Sequence, residues 1–164
     1  MEATPVVIPR PWGLGRPFPV NIATNEWCEP TLLKLDPVPV DYSAWSAPFG
    51  IVHKTPDRAV YEAAAARVAS PDALLHSRAG HVLESCIANI AVHDRAAGVW
   101  ITPGADPALG EWLLPGCYRA HAIEHGWIRE GSVAVESVLA PDALVLAFNS
   151  VRGWWPVRVV VSSS

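Results

Sequence analysis

The pattern of apolar and polar residues changes near residue 50 of this chain. Nine prolines interrupt residues 1–50, and proline disrupts both helices and the interior strands of sheets. Only the short apolar segments Thr31–Leu35 and Val38–Val40 are compatible with strands there, at the edge of a sheet. The pattern predicts a proline-rich arm or truncated domain at 1–50 and a folded domain at 51–162.

Two segments of the later region have the features of helices. Asp57–Val68 is rich in alanine, has apolar residues at 60, 64 and 68, and follows Thr55-Pro56, a favourable helix start. Gly116–His125 ends before Gly126, where a left-handed backbone would stop a helix. The pattern therefore predicts one helix on each side of a central region of strands.

The remaining apolar segments predict strands that are separated by turns. Asp94–Gly98 is predicted to form a hairpin turn, and Leu139–Asp142 a short turn or helix. The sum is an α+β domain with a mixed, mostly antiparallel sheet and two helices. The predicted strands are Ala73–His76, His81–His93, Val99–Thr102, Trp127–Ile128, Ser132–Glu136, Leu144–Asn149 and Val157–Val161.

Composition favours a chain that buries apolar surface against a partner. Hydrophobic residues make up 51% of the chain and charged residues only 17%, and eight residues are tryptophan. We therefore expect some apolar surface to be buried against another domain or another chain, such as the second copy of a homodimer or a partner subunit. The net charge of −4, without basic clusters, argues against binding to nucleic acid or an anionic membrane.

Cysteine and histidine spacing gives little sign of disulfides or metal. The three cysteines are far apart and include no CxxC pair, which favours reduced thiols in a cytoplasmic protein. The first residues show no secretory pattern, and no apolar segment is long enough to span a membrane. His121 and His125 have the i, i+4 spacing of a metal-binding pair, but a third ligand and the glutamate of an HExxH motif are missing. No metal is predicted.

Lys54 and Glu84 are the charged residues whose positions suggest chemistry. Lys54, one of two lysines, lies between the apolar segment Phe49–Val52 and a helix start, where a side chain can face a pocket. Lys34 alternates with leucines and has no polar neighbours. Glu84 lies within an apolar strand, where a carboxylate is costly unless it faces water or a cation. The alternatives are a surface lysine and an outward-facing strand position.

Two polar segments have the features of an anion site. Gly116, Cys117 and Tyr118 open the second helix, where free backbone N–H groups attract a phosphate. Ser150 and Arg152 follow the predicted strand Leu144–Asn149, so a hydroxyl and a guanidinium are available to an anion. The alternatives are an ordinary helix start and a polar turn between two strands.

In order and wording, four motifs resemble those of class IV (fold-type IV) pyridoxal-phosphate enzymes. The family's lysine segment, its Glu-x-x-x-x-Asn strand, its Leu-Pro-Gly-x-x-Arg helix start and its Asn-Ser-x-Arg-Gly segment are similar to His53–Tyr61, Leu83–Ile90, Leu113–Arg119 and Phe148–Gly153. The 30 residues from Lys54 to Glu84 also match the family's layout. The resemblance covers about residues 36–158 and implies the C-terminal, cofactor-binding domain of that fold.

The resemblance implies pyridoxal 5'-phosphate (PLP) as cofactor and a role for each matching residue. Lys54 would be the Schiff-base lysine and then an acid and base, and Glu84 would pair with the ring nitrogen. Arg58 would lie near the ring's phenolic oxygen or Glu84, and Arg152 would contact substrate. The remaining groups would hold the phosphate: Gly116, Cys117, Tyr118 and Ser150.

Within the family, the motifs are most similar to those of aminodeoxychorismate lyases, which release pyruvate and leave 4-aminobenzoate, a folate precursor. Two alternatives stay open: a class IV aminotransferase of the branched-chain or D-amino acid type, and a non-catalytic or truncated remnant of the fold. Residues 1–50 are expected to be an arm or a truncated remnant of the family's N-terminal domain, because the upstream residues Arg10 and Arg16 match none of its motifs. The resemblance therefore implies the cofactor half of a site more firmly than the substrate half.

Overall fold

The computed structural model describes residues 20–21, 26–27, 29–42 and 57–162. A 3-10 helix at Pro107–Leu109 accompanies the regular elements. These are, in chain order, β1 (Val20–Asn21), β2 (Glu26–Trp27), β3 (Thr31–Leu35), α1 (Ala59–Arg67), β4 (Ala73–His76), β5 (Val82–Ser85), β6 (Asn89–Asp94), β7 (Val99–Pro103), α2 (Cys117–Glu124), β8 (Arg129–Gly131), α3 (Val135–Leu139), β9 (Val145–Asn149) and β10 (Gly153–Val161).

Eight of the strands form one mixed sheet, in the spatial order β5-β4-β3-β10-β9-β6-β7-β8. β3 is parallel to β10 and β4, and β7 is parallel to β8, whereas the other four neighbouring pairs are antiparallel. The sheet curls so that its two ends meet. Val82 N, on the first strand of this order, donates a hydrogen bond (2.8 Å) to Val133 O, which follows the last strand of this order. The predicted α+β class with a mixed, mostly antiparallel sheet is confirmed.

β3 lies inside this sheet, so the prediction of an edge strand was wrong. β3 pairs with β10 on one side and with β4 on the other, and its Leu33 side chain is only 2% exposed. The prolines near β3 suggested an edge strand, whereas its actual position depends on pairing with β10, more than 100 residues later in the sequence. Val38–Val40 forms no strand. The predicted domain boundary at residue 50 lies outside the described residues.

We expect Leu33→Ala to lower the free energy of unfolding by about 2–5 kcal/mol, because it leaves a cavity in a closely packed core. Leu32 is 64% exposed, so Leu32→Ala is a matched control that should change stability by less than about 0.5 kcal/mol. Urea denaturation of the two variants and the parent chain measures both values. Equal effects at the two positions would contradict the buried position of β3.

The two predicted helices are present, and their buried faces explain their positions. α1 buries Tyr61 and Ala64, with Val68 just beyond its end, whereas the predicted face had Val60 in place of Tyr61. α2 ends where Gly126 has a φ of +70°, as the sequence predicted. The predicted start of α1 falls partly on Thr55 and Pro56, which lie outside the described residues.

Three predicted strands need correction. Ser132–Glu136 is not a strand, because Val135–Leu139 forms α3, whose Val138 packs into the core. Alternating valines at 133 and 135 mimicked a strand. The turn predicted around Leu139–Asp142 is present, since α3 ends at Leu139 and Ala143 N donates a hydrogen bond to Ala140 O (3.0 Å). Trp127–Ile128 lies just before β8. His81–His93 contains two strands, β5 and β6. Between them the chain bends, and Ser85 Oγ accepts hydrogen bonds from the backbone N–H groups of Ile87 and Ala88.

The sheet has a packed layer on both faces. In β9, Val145 and Ala147 join one core cluster with α3, whereas Leu146 and Phe148 join a second cluster with α2, because successive side chains of a strand point to opposite faces. α1 covers the same sheet at β4 through a third cluster. Among the described residues, no helix has the length and apolar character needed to cross a membrane.

Candidate functional site

Glu84 is a buried carboxylate on β5. Its side chain is only 3% exposed, and its Oε1 accepts a hydrogen bond from Tyr61 Oη at 2.8 Å. The backbone N–H of Leu114 lies 3.2 Å from Oε1 and 3.1 Å from Oε2. The alternative of an outward-facing, solvated strand position is therefore excluded for Glu84.

Burial dominates the protonation of this carboxyl group. It raises the pKa of Glu84 from its usual 4.5 to about 7, because a charged carboxylate loses its hydration. The hydrogen bonds from Tyr61 and Leu114, and the charges of Arg119 and Arg58, act in the opposite direction and favour the ionised form. Glu84 is consequently a group whose charge a nearby cation can control near neutral pH.

Tyr61 is part of the site and was missed by the sequence analysis. It lies on the buried face of α1, where burial and Glu84 raise the pKa of its phenol, so the hydroxyl stays protonated and donates to the carboxylate. A tyrosine on a buried helix face needs a partner for its hydroxyl, and that was the available signal. Tyr42 is a second buried tyrosine whose pKa is raised by burial and by Glu84.

The start of α2 approaches the site through Gly116. This residue is the N-cap of α2, and no side chain among the described residues makes a capping hydrogen bond there. A Cβ atom at Gly116 would lie 2.6 Å from Asn89 Oδ1, so any other residue at this position would force the Asn89 side chain to shift. Asn89 Nδ2 donates to Leu114 O (2.9 Å), which fixes the loop before the helix. The first N–H groups of α2 are thus left for an anion or water.

Cys117 and Tyr118 occupy the first turn of α2 and differ in their surroundings. Cys117 is exposed and is a free thiol. Tyr118 is half-buried, packs against Phe148 and Trp154, and its Oη accepts a hydrogen bond from Trp154 Nε1 (2.9 Å). Burial raises the pKa of Tyr118. The buried Trp154 therefore anchors the start of α2 to the sheet.

Ser150 and Arg152 lie in the exposed turn between β9 and β10. Asn149 organises this turn, because its Oδ1 accepts hydrogen bonds from the N–H groups of Val151 (3.0 Å) and Arg152 (2.8 Å). The Arg152 guanidinium lies over the ring of Trp155, 5.4 Å from its centroid. Both predicted residues are solvent-facing and carry no described contact to Glu84.

Hydrogen bonds nevertheless connect this turn and the start of α1 to the segment that follows Glu84. Asn149 Nδ2 donates to Ile87 O (3.0 Å), and Arg58 Nη2 donates to Cys86 O. The Arg58 guanidinium also lies over the Tyr61 ring, 4.8 Å from its centroid. The segments that carry Arg58, Glu84, the start of α2 and Ser150 therefore meet at one end of the sheet.

Lys54, the central residue of the sequence prediction, lies outside the described residues. It precedes Arg58 by four positions in the sequence, and Arg58 lies at the edge of the site, beside Tyr61 and Cys86. The other lysine is engaged elsewhere, because Lys34 Nζ donates to Val68 O at 2.9 Å. Arg119 is buried, and its Nη2 donates to Pro103 O (2.7 Å) and pairs with Glu130, so it braces α2 against β7 and β8.

A cavity of about 360 Å³ lies elsewhere in the domain, between α3 and the β6–β7 hairpin. Its lining includes His93, Arg95 and Asp142 and none of the predicted site residues. The combination of a buried ionisable carboxyl group and a glycine-capped helix start distinguishes the Glu84 region from that cavity.

Comparison with protein families gives an independent result. The family model of amino-transferase class IV matches residues 19–160, which is most of the chain. Comparison with curated proteins finds no match. The match begins upstream of the motifs used in the sequence analysis and includes β1 to β3.

Solved structures share this fold. A Mesorhizobium loti protein, provisionally assigned as an amino-acid aminotransferase, is 27% identical with a TM-score of 0.65, over 80% of this chain and 60% of that one. A provisionally assigned 4-amino-4-deoxychorismate lyase from Legionella pneumophila is 22% identical (TM-score 0.59; 82% and 49%). The 4-amino-4-deoxychorismate lyase of Pseudomonas aeruginosa is 19% identical (0.60; 82% and 48%). The chain thus spans from about half to 60% of the length of these proteins.

Proposed function

Because this chain belongs to the class IV aminotransferase family, we propose that it binds PLP and acts as a lyase that converts aminodeoxychorismate to 4-aminobenzoate and pyruvate. The observation that carries the proposal is the buried carboxyl group of Glu84, held between Tyr61 and Leu114 beside the start of α2. The motifs around Lys54, Gly116 and Ser150 support the lyase type. Folate precursor synthesis in the cytoplasm is the corresponding proposed role.

The chemistry of the described residues fits the cofactor. An ionised carboxylate has about four acceptor positions, so Glu84 can accept from a protonated ring nitrogen in addition to Tyr61 and Leu114. The start of α2, where Gly116 is the N-cap and offers no side chain, suits a phosphate, since the N–H groups and the helix dipole both attract an anion. Cys117 and Tyr118 would offer backbone N–H groups there, and Ser150 a hydroxyl.

In the proposed mechanism, each residue of the site has a separate role. Bound PLP supplies an electron sink that stabilises negative charge on the substrate carbon next to the amine. Glu84 would hold positive charge on the ring nitrogen, and Tyr61 keeps the carboxylate oriented. Lys54 would hold the cofactor covalently until the substrate amine displaces it, and its freed Nζ would then move a proton to and from the substrate. Arg58 adds positive charge near Glu84 and Tyr61.

A class IV aminotransferase is the second proposed function. The observation in its favour is the 27% identity to the Mesorhizobium loti protein, whose provisional assignment is an amino-acid aminotransferase. The same Lys54, Glu84 and α2 start would serve both reactions. They differ in one requirement, because an aminotransferase needs a keto acid to accept the amino group and a lyase does not.

This difference defines the experiment. Purified chain with PLP is incubated with aminodeoxychorismate, with and without a keto acid, and 4-aminobenzoate and pyruvate are quantified by mass spectrometry. Equal product in both reactions is expected for a lyase, and Lys54→Ala is the inactive control. Turnover of amino acids only when a keto acid is present would replace the lyase by the aminotransferase. Absence of both reactions in folded, PLP-loaded chain would support a non-catalytic remnant.

The proposed active form is a homodimer or a complex with a partner subunit that covers the open side of the site. Two exposed apolar residues flank the site, Ile87 (42% exposed) and Val151 (68% exposed), and Asn149 connects their segments. The high tryptophan content and low charge of the chain agree with burial of such surface. Light scattering of the PLP-loaded chain measures the assembly, and a monomer with full activity would contradict it.

A further inference from the structure

Two histidines and a glutamate lie together at the last turn of α2, at the opposite end of this helix from the proposed phosphate site. One ligand atom from each of His121, Glu124 and His125 lies within 4.8 Å of the other two. His121 is partly buried, whereas Glu124 and His125 are exposed. The sequence analysis found the histidine pair and predicted no metal, because it recognised no third ligand. Glu124 stands directly before the second histidine, an order that differs from HExxH, and the structure places its carboxylate beside the pair.

A hydrogen bond fixes which nitrogen of His125 is available. His125 Nδ1 lies 2.9 Å from the backbone carbonyl of His121. A carbonyl oxygen only accepts, so Nδ1 carries the proton and Nε2 keeps its lone pair. Histidines that bind metals are usually oriented in this way, with the other ring N–H donated to a carbonyl or carboxylate. The structure thus prepares one imidazole as a ligand before any ion binds.

Trp127 holds the two imidazole rings in place. Its ring centroid lies 5.3 Å from that of His121 and 5.4 Å from that of His125, and the two histidine rings are 4.0 Å apart. Trp127 is itself fixed by the helix end, where its backbone N–H donates to Ala122 O (2.9 Å). This contact restricts the histidine side chains without occupying Nε2 of His125.

We propose that His121, Glu124 and His125 bind a divalent transition-metal ion, of the class Zn²⁺, Ni²⁺ or Cu²⁺. Two imidazole nitrogens and one carboxylate suit these ions, whereas Mg²⁺ and Ca²⁺ prefer oxygen ligands. Ligand atoms around one tetrahedral zinc ion are about 3.4 Å apart. The three side chains would therefore have to close on the ion by rotating, and Glu124 and His125 are exposed and free to do so. Water completes the coordination, since the cluster faces solvent.

The position at the end of α2 favours a cation. The C-terminal end of a helix carries partial negative charge from its free carbonyl groups, and a dication there interacts favourably with it. An ion that binds only the folded chain also raises its stability, by an amount that grows with the logarithm of the ion concentration once this exceeds the Kd. Metal addition is therefore expected to raise the melting temperature of the parent chain, independently of PLP and of the function proposed above.

Isothermal titration calorimetry on the full chain, without an affinity tag and freed of metal, tests the site. One ion per chain is expected for Zn²⁺, Ni²⁺ and Cu²⁺, with Cu²⁺ the tightest, and no binding of Mg²⁺. His125→Gln and Glu124→Gln should each weaken affinity by about tenfold or more, because even the loss of an outer-shell partner has that effect. His93→Gln and Glu136→Gln, elsewhere on the chain, are matched controls that should retain the affinity.

Fluorescence gives a second measurement at the same place. Cu²⁺ at the site should quench the emission of Trp127, so Trp127→Phe should remove that part of the quenching while ions still bind. Circular dichroism establishes that every variant is folded. Affinity that is unchanged in both His125→Gln and Glu124→Gln, or the absence of one-to-one binding in the parent chain, would overturn the proposal.

Discussion

Replacing Lys54 by alanine is expected to abolish covalent attachment of PLP, whereas Lys34→Ala should leave it intact. An aldehyde cofactor attaches to a side-chain amine, and the chain has only these two lysines. Turnover of Lys54→Ala should fall by more than about a hundredfold, because the same amine is the proposed proton carrier. Lys34→Ala is the matched control.

The structure gives a physical reason to exclude Lys34. Its strand, β3, is paired on both sides within the sheet, and Nζ is bonded to the carbonyl of Val68 just beyond α1. Attachment of a cofactor there would break that hydrogen bond. Lys54, in contrast, lies four residues before Arg58, whose guanidinium covers the ring of Tyr61 at the site.

Borohydride reduction followed by peptide mass mapping measures the attachment. The parent chain should carry one reduced PLP group, on the peptide that contains Lys54, and the Lys34→Ala chain should carry the same group. An adduct on Lys34 in the parent chain would overturn the site assignment. Loss of the adduct in both variants would point instead to damage to the fold, which circular dichroism of Lys34→Ala would reveal.

Local patterns predicted those parts of the fold that depend on neighbouring residues. The alanine-rich helix, the glycine stop at Gly126 and the hairpin turn at Asp94–Gly98 all follow from local backbone preferences, and the structure confirms them. The position of β3 could not be predicted in this way. Its partner β10 is separated from it by more than 100 residues, and only the assembled sheet brings them together.

The site shows the same division between local and long-range information. The motifs around Glu84 and Gly116 were visible in the sequence, because a carboxylate in an apolar strand and a glycine at a helix start are each unusual locally. The contribution of Tyr61 was not visible, since its hydroxyl meets Glu84 only when α1 packs on β5, 23 residues away. Glu124 was likewise missed, although it adjoins His125, because its role depends on how three side chains converge.

We expect Glu84→Gln to reduce turnover strongly while PLP can still attach to Lys54. A neutral amide cannot hold positive charge on the ring nitrogen, so the electron sink weakens, whereas covalent attachment does not require that charge. The loss should fall mainly on kcat, with the adduct still detected by absorbance and mass mapping. Turnover equal to that of the parent chain would remove Glu84 from the mechanism.

Without cofactor, the same substitution should change how stability depends on pH. Folding raises the pKa of Glu84 from about 4.5 to about 7, so the folded chain favours the protonated form. The stabilisation from this proton is complete below about pH 4.5 and is lost as the pH rises through 7, an effect on the order of 3 kcal/mol. The glutamine variant lacks this loss, so its stability relative to the parent chain should rise over that interval.

Urea denaturation at several pH values between 4.5 and 8 measures the difference between the two chains, in which other titrating groups common to both cancel. Glu136→Gln, an exposed substitution on α3, is the matched control and should give a difference that is independent of pH. Saturating PLP should reduce the advantage of glutamine at high pH, because a cation on the ring stabilises the ionised carboxylate of the parent chain. A flat difference for Glu84→Gln in the absence of PLP would mean that the carboxylate is ionised at no cost in the fold, and Glu84 could not then respond to a cofactor cation.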